Sequence, residues 1–397
     1  MSNATLISSK RIYYLDYLRA FIVVQVIVFH SLLPYVIGYD WIINDEAKTL
    51  FYTMWCIVLD VFMMPTLFFI AGYFSFPSIR KNSIRSFVVN KITRIAIPFF
   101  IGITMLVPII CYIEALTYGT TSSSYTSYWL YEYFSSFIDT KHFWFLSSLF
   151  FFYMVFVMIY SMSKEKFKRV YNESSNKSVS PKTMILFLLR FFIIGIVVFF
   201  ATGLFISDLN WVAFGKFIIF QPTRWTNYIL YFIFGIICFV KKVEIPKNLT
   251  QKLPLLILAS IISILGFLAF KIPFYYENTA RIDVQFFNAI IYSFFCFIMF
   301  ITLLTVFKRY LNKPSKTWGR LAANSYTIYM VHMVYTVLIQ YYMVNLSVSI
   351  HTKFFGALIG TFILSYITSE IILIVLSIVG IGKNKKTDIA VPPITKM

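Results

Sequence analysis

The run LDYLRAFIVVQVIVFH, residues 15–30, carries an acid, a guanidinium and an imidazole inside an apolar stretch. A helix advances about 100° per residue, so Arg19 and His30, eleven positions apart, lie within about 20° of each other, with Asp16 about 60° away. The same geometry separates Arg19 and His30 by about 16 Å along the axis and leaves Asp16 one turn below Arg19, within ion-pair reach. An imidazole with an ordinary pKa near ~6.5 can accept a hydroxyl proton at neutral pH, which makes His30 a candidate general base. Two readings fit this face. In the first, Arg19 snorkels to the inner headgroups, Asp16 pairs with it, and His30 makes an interhelical contact. In the second, the face lines a polar track across most of a membrane, with Asp16 and Arg19 along its wall and His30 at its outer end.

The elements that must position these residues follow from composition. The chain has 397 residues, of which 59% are hydrophobic, 20% aromatic and only 13% charged. One or two soluble cores cannot bury that much apolar surface. The expectation is an all-α polytopic membrane bundle in a single domain, 1–397, because apolar runs of about 20 residues each match a ~30 Å hydrocarbon layer. About ten spans are predicted, near 14–37, 50–76, 95–117, 142–160, 183–206, 223–240, 254–272, 285–307, 319–345 and 354–380. With the N-terminus inside, 26 of the 35 Lys and Arg residues fall on cytoplasmic segments, which places both termini in the cytoplasm. The formal charge of +19 is therefore a topology signal that also favours anionic membrane lipid; it does not call for nucleic acid. No cleavable signal peptide is expected, since the first apolar run is long and charged. Cys56, Cys111, Cys238 and Cys296 all fall within spans without C-x-x-C spacing, and no metal site is expected.

Other chemistry-bearing residues are scattered. Arg80, Lys81, Arg85, Lys91 and Arg94 concentrate in the basic segment 77–94, with Lys91 and Arg94 three apart on one helical face. Such cations either satisfy the positive-inside bias or bind phosphates. Tyr326, Tyr329 and His332 make a second polar stripe, with His332 at a depth comparable to His30. It either orients His30, binds substrate, or makes an interhelical hydrogen bond. His142 and Trp144 are expected at the outer boundary, where Trp commonly anchors. Asp60, Glu114 and Arg190 are intramembrane charges with no evident partner, expected to pair within the bundle. The segment 161–182, SMSKEKFKRVYNESSNKSVSPK, reads as a flexible inner loop. The outer stretch 118–141, YGTTSSSYTSYWLYEYFSSFIDTK, suits either an interfacial aromatic belt or a platform for sugar rings.

The first run, YYLDYLRAFIVVQVIVFH, resembles the first-helix signature of the membrane-bound acyltransferase family three, with ten residues between Arg and His. FFIAGYFSF (68–76), NKITRIAIPFF (90–100), HFWFLSSL (142–149) and NSYTIYMVH (324–332) are similar to further family blocks and occur in the family's order. Glu370 roughly matches the family's closing glutamate, without the usual proline after it. Within the family, the opening and the H-x-W-F-L block look closest to periplasmic-glucan succinyltransferases. The resemblance implies an O-acyltransferase of the bacterial cytoplasmic membrane. Its donor would be cytoplasmic acyl-CoA (acetyl-CoA or succinyl-CoA), and its acceptor a hydroxyl of an extracytoplasmic glycan. It implies roles for His30, Arg19 and Asp16 in catalysis and for Lys91, Arg94 and Arg85 at the donor phosphates. It assigns His142, Trp144, Tyr326, Tyr329 and His332 to the acceptor side. A succinyl donor would need a further cation near His30, for which Arg190 and Arg224 are candidates. The competing class is a transporter or flippase, which shares buried charges and many spans but needs no coenzyme site.

Overall fold

A computed structural model describes residues 11–135, 139–175, 180–215, 217–243, 247–274 and 281–378. Ten long helices follow one another: α1 Tyr13–Leu32, α2 Leu50–Lys81, α3 Ile84–Thr117, α4 Trp144–Ser175, α5 Pro181–Gly203, α6 Pro222–Val240, α7 Leu253–Phe274, α8 Ile282–Tyr310, α9 Lys316–Met343 and α10 Ile350–Ile378. A short antiparallel hairpin, β1 Val212–Phe214 with β2 Ile218–Phe220, lies between α5 and α6. The chain is a polytopic helical membrane protein.

Nine of the described helices are long and apolar enough to cross a membrane; α9, expected as a span at 319–345, is not among them. The reason is its position. Buried Asn324, Ser325, His332, Thr336 and Gln340 make it too polar to face lipid, and its neighbours α1, α3 and α10 are protein. Thr336 bonds back to the His332 carbonyl and receives the Thr361 hydroxyl of α10, so the polarity is satisfied inside the bundle.

Helices α2 and α6 approach closely, and two glycines permit it. A Cβ at Gly72 would run into the Phe232 carbonyl, and one at Gly235 into the Phe69 carbonyl and Tyr73 amide. Small residues that admit a neighbouring backbone are how membrane helices gain packing when lipid removes the hydrophobic drive between them. Gly72 belongs to the FFIAGYFSF block, so that motif has a packing explanation.

Helix α3 is interrupted by π-helical turns at Ile92–Ala96 and Gly102–Leu106, beside Pro98 and Pro108. A proline has no N–H, so carbonyls one turn earlier lose their helical donor. Distant side chains replace it. Tyr326 donates to the Arg94 carbonyl at 2.7 Å, Trp129 to Thr104 at 2.9 Å, and Tyr133 to Ile103 at 2.6 Å. Thus two aromatics of the outer Tyr- and Trp-rich stretch cap a broken helix. Tyr131, by contrast, is exposed.

The inner segments differ from expectation. Residues 161–175 are helical, continuing α4 beyond a non-helical Ser163. Their apolar residues explain this: Phe167 stacks on Phe76 and Tyr171 on Phe239. Of the remainder of that expected loop, 176–179 lies outside the described residues, and Ser180 caps α5, which begins at Pro181. The basic segment 77–94 is also helical, its two helices separated by Asn82 and by Ser83, whose side chain caps the second.

Candidate active site

Helices α1 and α9 run side by side in the same direction, and this brings the polar residues of each together level by level. At the inner level, Arg19 donates through Nη2 to the Ala322 carbonyl of α9 at 3.1 Å, while its buried Nε has no hydrogen-bond partner among the described residues. At the outer level, His332 Nε2 lies 3.1 Å from His30 Nδ1. The two contacts are eleven residues apart on α1 and ten on α9, as two roughly parallel helices with a 1.5 Å rise require. Arg19 and His30 therefore share one face, the face directed at α9.

Asp16 does not pair with Arg19 as expected. It accepts from Arg11 Nε at 2.8 Å, because Arg11 precedes the helix and reaches back along it, whereas Arg19 turns toward α9. Asp16 is thus an inner-end partner of Arg11 rather than part of the track beside His30.

Hydrogen-bond partners fix the tautomers. His332 Nδ1 is 2.7 Å from the Tyr329 carbonyl, which can only accept, so Nδ1 carries the proton and Nε2 offers a lone pair. His30 Nδ1 is 2.9 Å from the Val26 carbonyl and also faces His332 Nε2, so Nδ1 of His30 carries the proton, shared between two acceptors. That leaves His30 Nε2 unprotonated, with no hydrogen-bond partner among the described residues. It has the form a general base needs. Gln340, two turns above His332, donates to the His30 carbonyl at 2.9 Å and accepts from Trp41 Nε1 at 3.3 Å.

His142 joins the same cluster. It is buried rather than placed at an outer boundary, with its ring 5.0 Å from that of His332. Its Nε2 lies 3.1 Å from the Met330 carbonyl, and Tyr329 donates to its backbone carbonyl in a very short hydrogen bond. Three histidines far apart in sequence therefore meet, held by one turn of α9. Trp144 stacks on Tyr228 and meets Trp211 edge-on, so it packs in protein instead of anchoring at lipid. Tyr326 is exposed on the inner side and caps Arg94, apart from the histidines.

The basic motif splits. Lys91 is half-buried, with its ammonium 3.8 Å from the centre of the Tyr153 ring and 5.0 Å from that of Phe87. Arg94, in the π-helical turn, and Arg85 are exposed. The wider turn spoils the simple shared face expected of Lys91 and Arg94. Tyr153, Trp41 and Gln340 had no signal in the sequence, since each acts through a residue distant along the chain.

Two of the three unexplained charges, Asp60 and Glu114, find partners, whereas Arg190 does not pair among the described residues. Arg224 forms a very short ion pair with Asp60 and lies 3.6 Å from Asp208, which also receives Lys271 at 3.2 Å. Glu114 pairs with Lys141 at 2.6 Å. Arg224 is therefore neutralised and is not a spare cation for a succinyl group. Arg190 is exposed on α5, a helix that packs against α6 and α8 rather than against α1. Glu370 accepts from Arg320 and Asn324, which ties α10 to α9.

The family described as an acyltransferase domain, acyltransferase 3, matches residues 12–370, from the start of α1 to Glu370. The chain belongs to this acyltransferase family. It is accordingly a multi-pass helical membrane member of that family. Among curated relatives it is similar to the glucans biosynthesis protein C of Escherichia coli (strain K12), 26% identical over 192 residues, 48% of each chain. The protein of the same name from Shigella dysenteriae serotype 1 (strain Sd197) is 26% identical over 193 residues, again 48% of each. The chain thus aligns with about half the length of these relatives. No solved structure matches it significantly.

Proposed function

We propose that this acyltransferase moves an acyl group from cytoplasmic acyl-CoA to a hydroxyl of a glycan on the outer side of a bacterial cytoplasmic membrane. The observation that carries this reading is the unpartnered Nε2 of His30, held in its base-competent tautomer by Val26 and His332, on the same helix face as Arg19. In the reaction, His30 Nε2 takes the proton of the acceptor hydroxyl as its oxygen bonds to the thioester carbonyl carbon. The C–S bond then breaks, and the coenzyme thiolate leaves and recovers the proton from His30. Arg19, about 16 Å from His30 along α1, is too far to meet the transient oxyanion; its unpartnered buried Nε suits it to hold the donor arm at the inner level. Lys91, Arg94 and Arg85 supply cations at the inner end for the coenzyme's phosphates. The similarity to glucans biosynthesis protein C supports a glucan-type acceptor, and a cell-envelope polysaccharide fits the membrane setting.

The test is donor-dependent thermal stabilisation of purified protein by acetyl-CoA and by succinyl-CoA. Donor at a hundredfold excess over its Kd raises stability by about 2.7 kcal/mol. The stabilisation is expected to persist in His30→Ala and to fall in Arg94→Ala, and the better ligand names the acyl group. Folded protein stabilised by neither donor refutes the reading in favour of a transporter.

A further inference from the structure

The outer loop 36–49 is built more firmly than a connection between α1 and α2 requires. Its Asp45 is buried in an ion pair with Lys353 at 2.7 Å. The Trp41 carbonyl accepts from both Asn44 and Tyr118, and the Ile37 amide donates to Thr53. The loop holds two aromatic rings beside the reaction centre. The Trp41 indole lies 5.8 Å from the His30 ring, and Tyr39 stacks on Trp41 at 6.4 Å. Tyr39 keeps 37% of its surface open.

Beyond Tyr39 lies the Asp60–Arg224–Asp208–Lys271 network. Desolvation first, and the Asp60 carboxylate next, push the Tyr39 phenol up to about 12, while Lys141 and Arg224 act in the opposite sense. Tyr39 is thus within electrostatic reach of Asp60 and Arg224 and of Lys141, the residue before His142. Three members of the network are sealed, with side-chain exposures of 5% for Arg224, 7% for Asp208 and 10% for Lys271. Asp60 alone keeps an open edge, at 35%. The nearly buried Arg224 also has an Nε with no hydrogen-bond partner among the described residues.

Aromatic faces next to an open carboxylate suit one kind of ligand, a ring with apolar C–H faces and a rim of hydroxyls. The faces stack on the rings and the rim donates to the carboxylate. We infer that Trp41, Tyr39 and Asp60 form a carbohydrate-ring subsite leading from the outer surface to His30, so that a sugar hydroxyl is delivered to its Nε2. This rests on the acyl-transfer reading above and gives its acceptor side a place, at residues outside the recognised motifs.

The experiment uses full-length protein in membrane vesicles with labelled acetyl-CoA and succinyl-CoA. The acceptors are a panel of soluble glucan, mannan and chitin oligosaccharides, and donor-induced thermal stabilisation is read in parallel. Tyr39→Ala and Trp41→Ala are each expected to raise the oligosaccharide KM about tenfold, the worth of one aromatic stacking contact, with donor stabilisation unchanged. Asp60→Asn raises it too, and Trp41→Phe, which keeps a ring but loses the bond to Gln340, largely restores the Trp41 value. An unchanged oligosaccharide KM in Tyr39→Ala and Asp60→Asn overturns the subsite. So does wild-type protein that is stabilised by donor yet transfers to no saccharide of the panel. Absence of both donor stabilisation and transfer instead refutes the acyl-transfer reading itself.

Discussion

Replacing His332 by alanine separates a positioning role from a catalytic one. The His30 Nδ1 proton is shared between the Val26 carbonyl at 2.9 Å and His332 Nε2 at 3.1 Å. Removing His332 takes away one of two acceptors and leaves the helical one in place, so the base-competent tautomer weakens without being lost. A net hydrogen bond is worth roughly 0.5–1.5 kcal/mol. Expressed wholly in the transition state, that is a loss of about 2- to 12-fold in kcat. Loss of His30 itself removes the base, a cost of about 10²- to 10⁴-fold. Steady-state transfer rates for His332→Ala and His30→Ala, with acceptor KM and the thermal midpoint of each, test the difference. His332→Ala is expected to retain donor stabilisation and to lose an order of magnitude in kcat at most. A defect equal to that of His30→Ala would make His332 a catalytic group in its own right and refute the assignment of tautomers.

Other predictions concern the scaffold. Tyr326→Phe leaves the Arg94 carbonyl without its donor and should cost about 0.5–1.5 kcal/mol of stability; the cost should shrink when Pro98→Ala restores a backbone N–H, read as a double-mutant cycle in thermal unfolding. Gly72→Ala cannot fit against the Phe232 carbonyl and should destabilise by about 3 kcal/mol or abolish folded expression, read by monodisperse yield in detergent. Arg224→Ala strands Asp60, while Asp208 keeps Lys271, and should destabilise by about 3 kcal/mol, more than Arg190→Ala at an exposed position, in the same unfolding measurement. Burial pushes the Asp208 carboxyl up, but the charges of Lys271 and Arg224 and the Lys271 hydrogen bond hold it below the ordinary carboxylate value. Its contribution is therefore complete above about pH 4 and lost as pH falls through the folded value. Lys271→Met should flatten that acid limb in a pH series of thermal midpoints.

The sequence made the spans and the α1 face legible because both depend on local periodicity. Apolar runs show the helices, and eleven residues between Arg19 and His30 fix a shared direction whatever lies opposite. What lies opposite was not legible. Asp16 had Arg19 one turn above and Arg11 just before the helix, and spacing cannot choose between two basic neighbours. His142 sits at the start of a span by hydropathy, yet the short turn Lys141–Phe143 carries it inward to His332, a tertiary fact with no local signature. The helix at 161–175 was hidden by its lysines, since only packing shows that Phe167 and Tyr171 have partners on α2 and α6. The carbonyls freed by Pro98 and Pro108 were implicit in the sequence, but their donors, Tyr326, Trp129 and Tyr133, are identified only by the fold.

The proposed acyl transfer turns on His30 Nε2 acting as the base. Single-turnover transfer from labelled acyl-CoA to acceptor glycan, in wild type and His30→Ala at saturating donor, tests it most directly. Equal donor binding by both proteins is expected, with transfer slowed about 10²- to 10⁴-fold in His30→Ala. Transfer at the wild-type rate in a folded, donor-binding His30→Ala protein would contradict it.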